Sequence, residues 1–206
     1  MSIQFDIADV LAEVGLSFTI ERMGVPLPDV VEYLTYTPNS QVTKPFVREH
    51  FLEVAFKSET QVASGDVITF VASGASYLVM NNTSDFFEDE IIRYLAVLYK
   101  TNVLLTIQRP QNTTQGYDTV FAFQDRHVHV QALVYAPLFG NVGEVNDTIG
   151  TYGKQKQELY LCSEYGVLAN DRIVIEDTGE IFTVDAVIAR RFPKVSVVNL
   201  TEDTRG

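Results

Sequence analysis

The 206-residue chain has no tryptophan, one cysteine and three histidines, and it is short of basic residues, with 15 Lys and Arg against 27 Asp and Glu. Each shortage removes a class of function. With Cys162 alone, neither an internal disulfide framework nor a cysteine zinc cluster can form, which fits a chain kept in a reducing cytoplasm. A net charge of −12 opposes ordinary nucleic-acid binding, because that binding rests on Lys and Arg displacing phosphate counterions. The same charge suits a surface to which DNA must not stick, and simple solubility accounts for it equally well. No apolar run approaches the about 18 residues needed to cross a bilayer, so no membrane contact is expected. The opening residues, Met1 to Asp6, lack the basic and apolar regions of a secretory signal. The sequons at Asn82, Asn112, Asn146 and Asn199 therefore carry no weight.

The scarcity of histidine bears on catalysis, since a nucleophile needs a base within hydrogen-bond reach. His50 has no partner pattern. His127 and His129 alternate with valine in residues 125–130, which predicts one strand face shared with Asp125. Two imidazoles and one carboxylate fall short of a signalled metal site, and two half-exposed polar residues are the simpler expectation. Residues 140–143 and 150–154 are glycine-rich, yet Lys154 is followed by Gln155, which breaks the phosphate-loop pattern. Asp85, Glu88, Asp89 and Glu90 lack the alternating ligands and central glycine of a calcium loop, and read as a solvated turn or a helix start. No catalytic residue, metal or cofactor is expected. An enzyme site would have to be assembled from Asp6, Asp85, Asp125 and Asp171, which sit on different elements.

What is present is a hydrophobic fraction of 46 %, enough for one large core or two small ones. Ile7, Val10, Leu11 and Val14 recur at helical spacing, predicting a short helix over residues 4–14 with Asp6 as N-cap and Gly15 as its stop. The period then changes to two, and residues 18–22, 30–36 and 51–56 read as strands. Residues 86–107 carry mixed signals. Ser84 to Glu88 resembles a capping box, but 97–107 is rich in β-formers and the segment reads mainly as strand. Residues 108–116 read as an exposed loop, 120–135 as a long β stretch and 139–153 as a linker. These features predict two domains. Residues 1–150 would be a β-rich unit with the helix and long loops, and 151–206 a small β-barrel module.

An internal echo is the most informative feature. DVITFVASGASYLV at 66–79 aligns without a gap on DRIVIEDTGEIFTV at 171–184, an offset of 105 residues (171 − 66). Asp66 falls on Asp171, Ile68 on Ile173, Gly74 on Gly179 and Val79 on Val184. Each copy reads as a tight β-hairpin with glycine in its turn. Duplication of a small module and chance convergence of two hairpins both fit. Either way a lone hairpin is marginal and must pack into a barrel or sandwich. The expected fold class is thus mainly β, built from small barrel or sandwich modules with a short N-terminal helix.

Residues 168–185, followed by Arg191-Phe192-Pro193 and the strand 195–201, resemble the small β-barrels of head-completion and head–tail joining (neck) proteins of tailed bacteriophages. The hairpin motif of that family has glycine where Asn170 stands here. The resemblance covers about 50 residues and does not reach the first 60 or residues 108–150. It implies a homo-oligomeric ring in the virion neck, assembled in the host cytoplasm between portal or adaptor and tail proteins. DNA would pass through that ring without tight binding. Arg190, Arg191 and Lys194, with Gln111 and Asn112, are the candidate contacts to partners or to DNA in the channel. The basic group also reads as a hairpin tip charged to discourage edge pairing. Other expectations are a tail terminator, tube or baseplate subunit, and a monomeric binding module.

Overall fold

The computed structural model describes residues 3–27, 32–38, 51–115, 118–135 and 157–203. The chain divides into two compact units, residues 1–101 with 192–195, and residues 102–191 with 196–206. Each is organised around one closed six-stranded barrel.

The first unit opens with α1 (Ile3–Val14), followed by β1 (Leu16–Arg22), β2 (Val25–Pro26), β3 (Glu32–Pro38), β4 (Phe51–Lys57), β5 (Val67–Phe70), β6 (Ser76–Phe87) and β7 (Glu90–Lys100). The helix begins earlier than expected, so Asp6 lies in its first turn, where a carboxylate favours the exposed N–H groups, and is not the cap. Of the apolar stripe, Leu11 is buried, whereas Val10 and Val14 are exposed. Gly15 ends the helix through its N–H bond to the Leu11 carbonyl. A Cβ at Gly15 would lie 2.3 Å from that same oxygen and 3.1 Å from the Leu34 carbonyl, so the requirement is for space. Gly15→Ala is expected to cost about 2 kcal/mol by forcing the helix off β3, read as a lower midpoint in urea at unchanged slope.

The sheet runs β2-β1-β3-β4-β7-β6-β5 and closes where β1 pairs with β5, Phe18 opposite Phe70 and Ile20 opposite Ile68. Inward residues at period two fill the barrel: Phe18, Ile20, Leu34, Val54, Phe56, Ile68, Val79 and Leu98 are all buried in one cluster. The helix alternative over 84–98 does not form. Glu88 and Asp89 adopt φ of 48° and 67°, which makes a tight turn between β6 and β7, with Phe87 opposite Glu90.

The second barrel comprises β8 (Val103–Gln115), β9 (Asp118–Tyr135), β10 (Gln157–Cys162), β11 (Arg172–Ile175), β12 (Ile181–Phe192) and β13 (Val195–Glu202), closed in the order β10-β13-β12-β11-β8-β9, with the turn residues 192–195 grouped with the first unit. Its core contains Leu105, Ile107, Leu159, Leu161, Ile173, Phe182, Val184 and Leu200. In the first barrel the same circuit reads β4-β7-β6-β5-β1-β3. The topologies are identical. β5 and β11, and β6 and β12, coincide end to end at the offset of 105, while Leu16 of β1 matches Val103 of β8 at an offset of 87 (103 − 16). The hairpin echo is therefore part of a repeat of the whole barrel.

Two expectations change. The boundary near residue 150 lies outside the described residues, and the units divide after Thr101, because β8 and β9 supply two walls of the second barrel. Residues 108–115 are strand: β8 stays paired with β9 from Val103 opposite Ala132 to Gln115 opposite Asp118. Pro110 sits there opposite Phe123 without interrupting the pairing. It is tolerated because β11 pairs with β8 only as far as Gln108, leaving Pro110 on a two-stranded arm. The linker 139–153 and His50 also lie outside the described residues.

Candidate interaction surfaces

Each barrel carries the same polar latch. Asp66 opens the first hairpin and is buried; its carboxylate takes Arg22 Nε on Oδ1 at 2.8 Å and Arg22 Nη2 on Oδ2 at 2.8 Å. Oδ2 also accepts the Ala63 N–H at 2.8 Å, and Arg22 Nη2 donates to the Gln61 carbonyl. In the second barrel Asp171 takes Arg109 Nε at 3.0 Å and Nη2 at 2.9 Å, together with the Leu168 N–H at 2.8 Å. Arg109 Nη2 donates in turn to the Gly166 carbonyl. Backbone bonds repeat as well: Gly65 and Asn170 donate to the carbonyls of Val79 and Val184, and both have positive φ. The Asp171 hydrogen bond pushes the Arg109 pKa further up from a value that already keeps it charged. Such a carboxylate, buried and held by a guanidinium fork and a backbone N–H, fixes the geometry of the hairpin entry.

A third ion pair is peculiar to the second barrel. Arg172 Nε donates to Asp203 Oδ2 at 2.7 Å, and its guanidinium carbon lies 3.5 Å from the centre of the Phe123 ring. This ties the end of β13 to β9 and β11. Cys162 is buried in the same core.

The two histidines do not share a site. Register shifts around Ile107 and a φ of 56° at His129 mark a bulge that interrupts the alternation of β9. His127 packs edge-on against Tyr165, with ring centres 5.1 Å apart, whereas His129 Nδ1 lies 2.7 Å from Glu176 Oε2. Asp125 accepts from Gln108. Among the described residues there is no cluster of three or more His, Cys, Asp or Glu placed to hold a metal. A recess of about 410 Å³ at the first barrel is lined by Leu16, Tyr36, Leu52, Phe70, Tyr77 and Lys100, and none of these is an acid–base pair.

Acid is expected to destabilise the second barrel. Burial lowers the His127 pKa, reinforced by Arg126 and Arg109. The unfolded chain then takes up a proton near pH 6.5 before the folded chain does, so stability falls as pH drops through that value. Glu176 is held below the usual carboxylate range, first by the His129 backbone N–H and also by the Thr106 hydroxyl. Its contribution is present above about pH 4.5 and is lost below it. Melting temperature should therefore fall from pH 7.5 to 5, and His127→Phe should remove the part near pH 6.5 alone.

Among the described residues, two hairpin ends expose charged side chains in groups, one of them beside aromatic rings. In the first barrel β7 leaves β4 at Arg93, and residues 85–91 form a two-stranded tip braced by Arg93 Nε on Asp85 Oδ2 at 2.7 Å. Phe86 and Phe87 are exposed there at 61 % and 47 %, beside exposed Glu88, Asp89 and Glu90. In the second barrel β12 and β13 meet at a turn where Lys194 has φ of 53°, and Arg190, Arg191 and Lys194 are exposed. The basic group is thus a hairpin tip between the last two strands. β8 and β12 are both antiparallel to β11, so the β8–β9 arm points the same way as this hairpin. Gln111 is exposed on that arm and bonded to Gln124, and Asn112 lies next to it opposite Phe121.

No family model matches this chain. No curated protein matches it either. Among solved structures it is similar to apo MrkH of K. pneumonia, at 10 % identity and a TM-score of 0.25, over 98 % of this chain and 87 % of that one. A second MrkH structure, described as a c-di-GMP-dependent transcription regulatory factor, aligns at 9 % identity and a TM-score of 0.22, covering 98 % and 84 %. Likeness at this level carries no argument about fold or function. Among the described residues no helix is long and apolar enough to cross a membrane.

Proposed function

We propose that this chain is a structural protein of a tailed-phage virion that forms a ring in the neck between head and tail and lets DNA pass. The carrying observation is the pair of closed barrels of one topology, each latched by a buried Asp–Arg pair and each extended by a hairpin arm. Closed barrels leave few strand edges, so contacts fall to arms and loops, which suits a subunit that joins several neighbours. An acidic chain, at −12, suits a channel through which a polyanion slides without sticking. Arg190, Arg191, Lys194, Gln111 and Asn112 would serve as contacts on one end of the second barrel. In this reading the chain has no catalytic role and no cofactor, and it works in the virion after assembly in the host cytoplasm with portal or adaptor and tail proteins.

Immunogold labelling of particles carrying an epitope-tagged chain tests the proposal. Label at one capsid vertex is expected. Label along the tail moves the chain to the tube, terminator or baseplate class, and unlabelled particles return a monomeric binding module to the front.

A further inference from the structure

The repeat preserves the scaffold and inverts the tip. At the offset of 105 residues the two β6–β7-type hairpins correspond position by position, since β6 (Ser76–Phe87) matches β12 (Ile181–Phe192) and both returning strands begin at matched residues, Glu90 and Val195. Asp85 corresponds to Arg190, Phe86 to Arg191, Phe87 to Phe192 and Asp89 to Lys194, and the last pair share a positive φ. Part of the core keeps its residue type: Val62 matches Val167, Ile68 matches Ile173 and Val79 matches Val184, although Leu98 matches Asp203. Both reversals of sign, Asp85 to Arg190 and Asp89 to Lys194, fall at the hairpin ends, where Arg190, Arg191 and Lys194 are exposed.

We infer that the acidic, aromatic tip of the first barrel (Phe86, Phe87, Glu88, Asp89) docks on the basic tip of the second barrel (Arg190, Arg191) in another copy of this chain. Charge complementarity singles out that occupant. Two exposed phenylalanines beside carboxylates offer an apolar contact ringed by negative charge, and arginine both stacks on aromatic rings and pairs with carboxylates. Two barrels of opposite tip charge make the contact head-to-tail, and a heterologous contact of this kind closes into a ring when its rotation closes. The inference rests on the neck reading for its purpose but not for its test.

The test is sedimentation velocity on the purified full chain over a range of concentration and salt, with two charge-reversed variants. In E88K/D89K, Asp89→Lys places at the first tip the residue that the second tip carries at the matched positive-φ position, and Glu88→Lys exchanges one exposed non-glycine side chain for another. R190E/R191E reverses the other tip. The wild-type chain is expected to assemble with rising concentration and to dissociate as salt rises. Each variant alone is expected to assemble at least tenfold more weakly, with its melting temperature retained. Mixed in equal amounts, the two variants are expected to assemble again, because the basic first tip of one meets the acidic second tip of the other. Rescue on mixing distinguishes contact between copies from contact within one chain. A wild type that stays monomeric throughout, variants that assemble as it does, or a mixture without rescue each overturns the inference. Vertex labelling of particles alongside a monomeric wild type would leave the neck reading standing while removing this contact.

Discussion

Asp171→Ala is expected to cost about 3–5 kcal/mol and to unfold the second barrel first. The carboxylate holds three donors at once, two from Arg109 and the N–H of Leu168, and its side chain is 2 % exposed. Removing it leaves the Leu168 N–H without its acceptor and strips a partly buried guanidinium of its counter-charge. At 4–8 °C per kcal/mol for a unit of this size, melting should fall by about 12 °C or more. Hydrogen exchange read by mass spectrometry should rise in peptides from 102–135 and 157–191. Asp171→Asn keeps one acceptor oxygen but sets an NH2 group against a donor, and should cost about half as much. Asp66→Ala breaks the equivalent latch and should raise exchange in residues 16–100 instead. Its cost should be somewhat smaller, because Arg22 is 43 % exposed and Arg109 only 27 %, so water replaces more of what Arg22 loses. If the two aspartates gave unrelated effects, or none, the latches would not be the shared support of the two barrels.

Phe56→Ala should be comparably severe in the first barrel, at about 3–5 kcal/mol. Phe56 is fully buried on β4 between Leu34 of β3 and Tyr94 of β7, with its ring 5.4 Å from that of Phe18 across the barrel. Truncation removes the transfer energy of a whole ring and opens a cavity that the closed sheet cannot collapse to fill. Phe56→Leu conserves most of the volume and should cost less than about 1.5 kcal/mol. Urea titration of both variants checks the ordering. Equal midpoints would mean that the barrel interior is not packed around this ring.

Period and turn chemistry make part of this structure legible in the sequence. The alternation at Phe18, Ile20 and Arg22 and the apolar run at 51–56 became β1 and β4, because both lie half-buried on a barrel wall. The echo of Asp66 with Asp171 was visible because each hairpin needs an aspartate at its entry and a glycine at its turn. Its partners were not visible. Arg22 and Arg109 sit at a separation of 87 residues (109 − 22), not 105, and a lone arginine on a strand carries no signal of its own. The arm 108–115 reads as a loop because proline and asparagine usually interrupt strands, and a two-stranded arm is one of the few places where a ladder tolerates them. The bulge at His129 has no glycine to announce it, so the strand face predicted for His127, His129 and Asp125 does not exist. The basic tip at 190–194 is legible in the sequence, whereas its acidic counterpart reads as an isolated cluster. Only the matched strand ends show that the two occupy one position in a repeated fold.

Cryo-electron microscopy of intact particles assembled with the chain's native neighbours tests the functional reading most directly. The expected result is a ring of this chain at the single vertex where head meets tail, its acidic barrels surrounding DNA and the first-barrel tip of each copy seated against Arg190 and Arg191 of the next. Density for the chain along the tail only, or in no part of the particle, would contradict it.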